Sequence, residues 1–281
     1  LAEKPNWNVA GAVTIDDRQR VTMPILMRRA HTDLNTAMCT SMWPLSSMLF
    51  FIAGAAHGLR HLHTELGISH NDVKPGNILV SFEGPEEGYV GKMADFGHCR
   101  AFGEEVVMGN PGFVAPEVLS NASTKAHPTM DVFSMAATFY RCCVKQDIAQ
   151  FNMSLHEGLL TPIEKGRLAE LEELAKSANV NQERLNFEIG ATSRTLADGS
   201  FERTMLRPEK LNDAGLSPSC KDDLCARLPA YMANDPSRRP DMDSLCDFLL
   251  EIANSAHRHR ASKQDVLEEG EGGEEEEKGG A

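Results

Sequence analysis

Three short motifs between residues 70 and 117 carry the side chains best suited to chemistry. In chain order they are His70-Asn71-Asp72-Val73-Lys74-Pro75-Gly76-Asn77, Asp95-Phe96-Gly97 and Ala115-Pro116-Glu117. A carboxylate can accept a proton, and carboxylate and other oxygen ligands suit a hard cation such as Mg²⁺. A lysine can neutralise an anionic group. A single aspartate is most often a surface turn residue, so the motifs indicate a function only as an ordered set.

The order and spacing of these motifs resemble those of the eukaryotic-type protein kinases, whose set is H-R-D-x-K-x-x-N, D-F-G and A-P-E. The likeness continues downstream. Asp131-Val132-Phe133-Ser134 resembles the start of the family's central helix, and a second motif resembles the one near the family's C-terminus: Asp235-Pro236-Ser237-Arg238-Arg239-Pro240. The resemblance covers residues 4–253. It implies an α+β, protein-kinase-like fold with a mainly helical lower lobe and the remnant of an upper-lobe sheet.

The resemblance also implies roles for individual residues. Asp72 would orient the attacking hydroxyl and take its proton, and Lys74 would place its ammonium on the transferring phosphate of ATP. A lysine at this position is typical of the Ser/Thr class. Asn77 and Asp95 would ligate Mg²⁺ and so help to bind the nucleotide.

The adenine pocket and two structural contacts follow from the same resemblance. Met23 would lie at the back of the pocket, Leu26 in the linker 24–27 that contacts adenine, and Leu79 beneath the ring. Two further contacts are expected, one at the activation segment and one at the catalytic loop: Arg239 with Glu117, and Asp131 with the loop backbone around His70.

The elements that must position these residues can be predicted from periodicity and turn residues. Strands are expected at 8–15, 20–27, 78–81 and 89–94, and a helix is expected from Pro44 to Leu66, with Gly67 ending it. Later helices are expected at 131–144, 164–177, 219–233 and 241–253, the last with Asp241 as its N-cap. The histidines at 57, 61 and 63 are interpreted as helix-surface residues rather than metal ligands.

Two absences near the motifs agree with each other. Asn71 replaces the arginine that receives an activation-segment phosphate in many family members, and residues 98–114 contain no Ser, Thr or Tyr. We therefore expect activity that does not depend on phosphorylation of this segment.

The larger difference from the protein kinase pattern lies upstream of the motifs. No glycine-rich loop, no V-A-x-K strand and no partnering helical glutamate precede residue 7. We expect residues 1–30 to be an upper-lobe remnant, 31–256 the lower lobe with an insertion at 145–215, and 257–281 a disordered acidic tail. The chain would then be either a fragment of a larger kinase or a reduced, non-catalytic relative.

Composition excludes several function classes. The net charge is −13, and residues 265–281 contribute more than half of it, so no basic footprint for nucleic acid is present. No apolar run reaches the ~18 residues that span a bilayer, and no leader follows Leu1. Seven cysteines without paired spacing predict reduced thiols, in the cytoplasm or alternatively the nucleus. The sequence does not indicate the oligomeric state.

The leading hypothesis is therefore a protein Ser/Thr kinase that uses ATP and Mg²⁺ and acts on Ser/Thr hydroxyls of protein substrates. The alternative from another class is a catalytically inactive pseudokinase that serves as a scaffold for protein partners. A small-molecule kinase is disfavoured because Glu117 and Arg239 belong to motifs of the protein-substrate kinases.

Overall fold

The computed structural model describes residues 7–10, 25–40, 42–106, 113–120, 124–144, 211, 215–233 and 235–272. Of the sequence predictions, Met23, the helix at 164–177, most of the strands at 8–15 and 20–27, and nearly all of the insertion at 145–215 lie outside these residues. Side chains at 7–10, 25–26 and 264–272 are likewise not described.

The described elements alternate short strands with helices and then become helical. In chain order they are β1 (Trp7–Ala10), β2 (Ile25–Arg28), β3 (Thr32–Asp33), α1 (Leu34–Thr40), α2 (Leu45–His61), β4 (Ile68–Ser69), β5 (Ile78–Phe82), β6 (Tyr89–Met93), β7 (Arg100–Ala101), α3 (Pro116–Ser120), α4 (Pro128–Val144), α5 (Pro218–Tyr231) and α6 (Met242–Gly272). The predicted α+β class, with small strand elements ahead of a mainly helical body, is confirmed.

The strands form small antiparallel sheets. β1 pairs with β2, so that Trp7 lies opposite Arg28, while β3, β5 and β6 form a three-stranded sheet and β4 pairs with β7. The turn between β5 and β6 is closed by hydrogen bonds from Glu83 N to Gly88 O and from Gly88 N to Gly84 O. This turn joins the two strands that the sequence predicts at 78–81 and 89–94.

Helix α2 lies at the centre of the core. Its apolar positions recur every three to four residues, and Leu49, Ile52, Ala56 and Leu59 are fully buried against α4, α6 and β6. The helix continues through a π turn at 62–66 and ends at Gly67, whose φ of 63° places it in the left-handed region. The predicted stop is confirmed, and its cause is the low cost of positive φ for glycine.

Helix α6 begins as predicted but extends further. Asp241 caps it by accepting a hydrogen bond from Ser244 N at 2.9 Å. The helix then runs to Gly272, so the prediction of disorder from residue 257 is wrong for residues 257–272. Once packing has nucleated a helix, each added residue contributes another backbone hydrogen bond, and segment 257–269 contains neither Gly nor Pro. Residues 273–281 lie outside the described part.

Two further expectations concern cysteines and membranes. Cys142 and Cys143 are fully buried in α4, and burial raises the pKa of the Cys143 thiol well above its ordinary value. Among the described residues, no helix combines the length and the apolar character needed to cross a bilayer.

Candidate active site

A buried carboxylate on α4 holds the loop that follows β4. Asp131 Oδ2 accepts a hydrogen bond from His70 N at 2.7 Å, and its Oδ1 accepts one from Asn71 N at 2.9 Å. The predicted anchoring of the catalytic loop by Asp131 is confirmed. Because a buried charge needs several strong partners, this carboxylate and the loop backbone satisfy each other.

A third partner of Asp131 corrects the sequence interpretation of the histidines. His63 was predicted to lie on a helix surface, but it is 9% exposed, and its Nε2 lies 2.8 Å from Asp131 Oδ2. The two residues are 68 positions apart, so local periodicity could not reveal the contact. Among the described residues, no three His, Cys, Asp or Glu side chains are grouped to hold a metal ion.

The Asp72 carboxylate is the centre of the site. It is 3% exposed, and its Oδ2 lies 2.6 Å from Lys74 Nζ and 2.9 Å from Asn77 Nδ2. Asn77 Nδ2 also donates to the Asp72 carbonyl oxygen at 2.9 Å. A short 3₁₀ turn at residues 75–77 brings the asparagine back over the aspartate. The structure therefore brings three of the predicted site residues into direct contact.

The side-chain amide of Asn77 is held through its nitrogen. Both hydrogen bonds of its side chain use Nδ2, which leaves Oδ1 without a hydrogen bond among the described residues. An amide oxygen held in this way suits Mg²⁺, which prefers hard oxygen ligands.

Asp95, the other predicted ligand, lies at the end of the neighbouring strand. The residue before it is held twice: Ala94 N donates to Asn77 O at 2.9 Å, and His70 Nε2 lies 3.0 Å from Ala94 O. The Asp95 side chain is exposed, and it accepts from Gly97 N at 3.4 Å. A carboxylate on Asp95 together with an amide oxygen on Asn77 is a donor set that fits Mg²⁺.

Among the described residues, only Asn71 and Asp95 combine a positive φ with a side chain, both at 63°. Asn tolerates this conformation well, and the Asn71 amide is further fixed by hydrogen bonds to Ser69 O and His98 O, each 3.1 Å long. Backbone strain of this kind persists where surrounding contacts over-determine it, which is common at functional sites.

The predicted adenine contacts are only partly described. Leu79 lies on β5, where Ile78 and Val80 face the core and Leu79 faces the other way, partly exposed. Its position leaves its side chain available to a nucleotide. Leu26 lies in β2 opposite Val9, its side chain is not described, and Met23 lies outside the described residues. The predicted adenine contacts of Met23 and Leu26 therefore stay predictions.

His98 belongs to the site although the sequence analysis did not select it. Its Nδ1 lies 3.8 Å from Asp72 Oδ2, and this nitrogen is buried with no hydrogen-bond partner in the described part. The sequence feature that could have identified His98 is its position directly after Asp95-Phe96-Gly97. The next residue, Cys99, does not offer a nucleophile, because burial raises the pKa of its thiol to about 11.

Comparison with known proteins identifies the family that uses this geometry. The model of the protein kinase domain matches residues 12–269. The chain belongs to the protein kinase family. A probable protein kinase of Dictyostelium discoideum is 36% identical over 101 residues, which is 36% of this chain and 26% of that protein.

Two further relatives are named as serine/threonine kinases. PknK of Mycobacterium tuberculosis is 41% identical over 80 residues, or 27% of this chain and 7% of that protein. The ovarian-specific serine/threonine-protein kinase Lok of Drosophila melanogaster is 28% identical over 133 residues, or 46% of this chain and 27% of that protein. The chain thus aligns with less than a third of the length of each relative.

A buried ion pair between Arg239 and Glu117 stabilises the kinase domain at the end of the activation segment. Arg239 NH1 and NH2 each lie 2.7 Å from one Glu117 carboxylate oxygen, and the arginine side chain is fully buried. The guanidinium also donates to Ala233 O at 2.7 Å and lies 5.0 Å above the Phe133 ring. The predicted pair is confirmed, with bidentate geometry that only arginine provides.

We expect Glu117→Ala to lower the free energy of unfolding by about 3–5 kcal/mol, because it leaves the buried guanidinium uncompensated. The double variant Glu117→Ala with Arg239→Met removes both charges and should lose less. Chemical denaturation followed by circular dichroism measures both. A double variant that is less stable than Glu117→Ala would contradict this assignment.

Proposed function

We propose that this protein kinase transfers the γ-phosphate of ATP to Ser/Thr hydroxyls of protein substrates. The observation that carries the proposal is the convergence of Lys74 and Asn77 on the Asp72 carboxylate, at 2.6 Å and 2.9 Å. In the reaction a bond forms between the substrate oxygen and the γ-phosphorus as the bond to the β-phosphate oxygen breaks. The hydroxyl proton passes to Asp72, and ADP leaves.

The arrangement around Asp72 accounts for the positioning that phosphoryl transfer needs. Asn77 Nδ2 donates to both the carboxylate and the backbone carbonyl of Asp72, so the carboxylate has little freedom to turn away from the incoming hydroxyl. Lys74 is partly exposed, and from beside Asp72 its ammonium can reach the transferring phosphate and offset the charge that develops there. Little covalent chemistry remains for the protein to do.

Asp95 and Asn77 Oδ1 are the residues that would hold Mg²⁺. The ion, when bound, neutralises charge on the β- and γ-phosphate oxygens. Leu79 would contact the nucleotide base from the outer face of β5. The Ser/Thr class is supported by Lys74, which resembles the lysine of that class, and by the names of the relatives.

Asp72→Asn keeps the shape of the side chain but removes its capacity to accept a proton. We expect phosphotransfer to a generic Ser/Thr substrate to fall by about 10²–10⁴-fold, measured with radiolabelled ATP. Asp222→Asn, the same change on the exposed face of α5, should leave the rate unchanged. Circular dichroism should show both variants folded. A folded Asp72→Asn variant that retains full activity would contradict the assignment of the base.

Strand pairing and hydrogen bonds hold the segment after Gly97 in place. Ala101 pairs with Ile68, Phe102 N donates to Gly67 O at 3.0 Å, and the Asn71 amide donates to His98 O at 3.1 Å. Further along, Ala126 N donates to Glu104 O at 2.7 Å. Asn71 therefore contacts the segment directly, where many family members use an arginine that binds a phosphate.

We expect full activity from protein that has been treated with a phosphatase, because these contacts need no added charge. The measurement compares initial rates before and after treatment, with a mass spectrum to confirm that no phosphate remains. A kinase known to need activation-segment phosphorylation, treated in parallel, serves as the control. Loss of most of the activity on dephosphorylation would contradict this prediction.

A further inference from the structure

The His98 ring points a buried nitrogen at the carboxylate of Asp72. Its Nδ1 lies 3.8 Å from Asp72 Oδ2 and has no hydrogen-bond partner in the described part of the chain. The side chain as a whole is 35% exposed, so other parts of it reach solvent while Nδ1 does not. Because a buried nitrogen without a hydrogen bond is costly, its position beside a carboxylate calls for an explanation.

The backbone that carries this ring is held in place. Residues Phe96–His98 form a 3₁₀ turn, and Cys99 N donates to Phe96 O at 3.1 Å. The Asn71 amide donates to the carbonyl oxygen of His98 at 3.1 Å. Nδ1 can therefore approach Asp72 by rotation of the side chain while the turn stays where it is.

The hydrogen on the His98 ring can be assigned from the charge that it faces. A nitrogen lone pair directed at the Asp72 carboxylate would be repelled, whereas an N–H group there is attracted. We therefore assign the hydrogen of the neutral ring to Nδ1. An N–H···O hydrogen bond is about 2.9 Å long, so a movement of about 1 Å would form one between Nδ1 and Oδ2.

Lys74 contacts the same carboxylate oxygen that His98 faces. Its Nζ lies 2.6 Å from Asp72 Oδ2, and its side chain is partly exposed and can move. In the proposed reaction this ammonium turns towards the transferring phosphate, which draws it away from Oδ2. The Asp72 side chain is 2% exposed, so solvent has little access to replace the hydrogen bond that is lost. A buried carboxylate in this state needs another donor.

We propose that His98 is a positioning residue whose Nδ1–H replaces Lys74 Nζ on Asp72 Oδ2 when Lys74 turns to the phosphate. The new hydrogen bond holds the carboxylate towards the substrate hydroxyl while the proton is transferred. His98 contacts neither the phosphate nor the hydroxyl, and it acts through Asp72. Its role in the reaction rests on the proposed function, whereas the contact itself can be tested without phosphotransfer.

The exchange of donors can be observed by nuclear magnetic resonance of protein labelled with ¹⁵N at histidine. Lys74→Met removes the ammonium and keeps a side chain of similar length. We expect the Nδ1 proton of His98 to shift downfield in Lys74→Met relative to the unmodified protein, because the hydrogen bond to Asp72 then forms. The signal is assigned by its loss in His98→Asn. An unchanged signal in Lys74→Met, or a neutral ring protonated only at Nε2, would overturn the proposal.

Two variants distinguish the donor from the ring that carries it. His98→Asn places an amide N–H where Nδ1 lies, and His98→Leu fills space without a donor. We expect His98→Leu to lower kcat about tenfold with KM for ATP and peptide unchanged, as for loss of one hydrogen bond to a charged group. His98→Asn should stay within about twofold of the unmodified protein. His61→Leu, the same change on the exposed face of α2, is the matched control and should leave kcat unchanged.

A double variant shows whether His98 acts through Asp72. Added to Asp72→Asn, His98→Leu should cause no further fall in the residual rate, since residues that act as a unit are not additive. A further fall, or an equal loss of kcat in His98→Asn and His98→Leu, would overturn the proposal. If even the unmodified protein transfers no phosphate, the proposed function fails, and the His98 signal in Lys74→Met still decides whether the contact forms.

Discussion

The buried carboxylate of Asp131 is the contact on which the site depends. It is inaccessible to solvent and lies between the Nε2 atom of His63 and the backbone N–H groups of His70 and Asn71. Leaving such a group unpaired would be costly, so the loop is held to α4 by the requirement to satisfy the charge. The loop position in turn determines where Asp72 and Asn77 lie.

The positive φ values at Asn71 and Asp95 show how the site stores strain. Both residues follow groups that are fixed by hydrogen bonds, His70 by Asp131 and Ala94 by Asn77 and His70. The His70 ring therefore links the two halves of the site, since its backbone contacts α4 and its Nε2 contacts the residue before Asp95. The Phe96 ring lies 5.4 Å from the same imidazole.

Much of this arrangement could be predicted from the sequence because it depends on short motifs and local rules. Asp72, Lys74 and Asn77 lie within six residues of each other, and a short turn is enough to bring them together. Gly67 predicted the C-terminal end of the helix that contains α2, and Asp241 predicted the N-terminal end of α6. The pairing of Arg239 with Glu117, 122 positions apart, came from the family resemblance and not from local pattern.

The failures have a common physical cause. His63 and His98 owe their roles to partners distant in sequence. The local sequence indicated a helix-surface residue at His63 and gave no role to His98. The extension of α6 depends on a helix already nucleated by buried residues, whereas composition alone favoured disorder. Met23 and Leu26 stay predictions, since their side chains are outside the described structure.

The most direct test of this account is a crystal structure of the protein with Mg²⁺ and a non-hydrolysable ATP analogue. The account predicts a metal ion ligated by the Asp95 carboxylate and Asn77 Oδ1, with the γ-phosphate within hydrogen-bond reach of Lys74 Nζ. A nucleotide bound elsewhere, or a metal ion that contacts neither Asp95 nor Asn77, would contradict it.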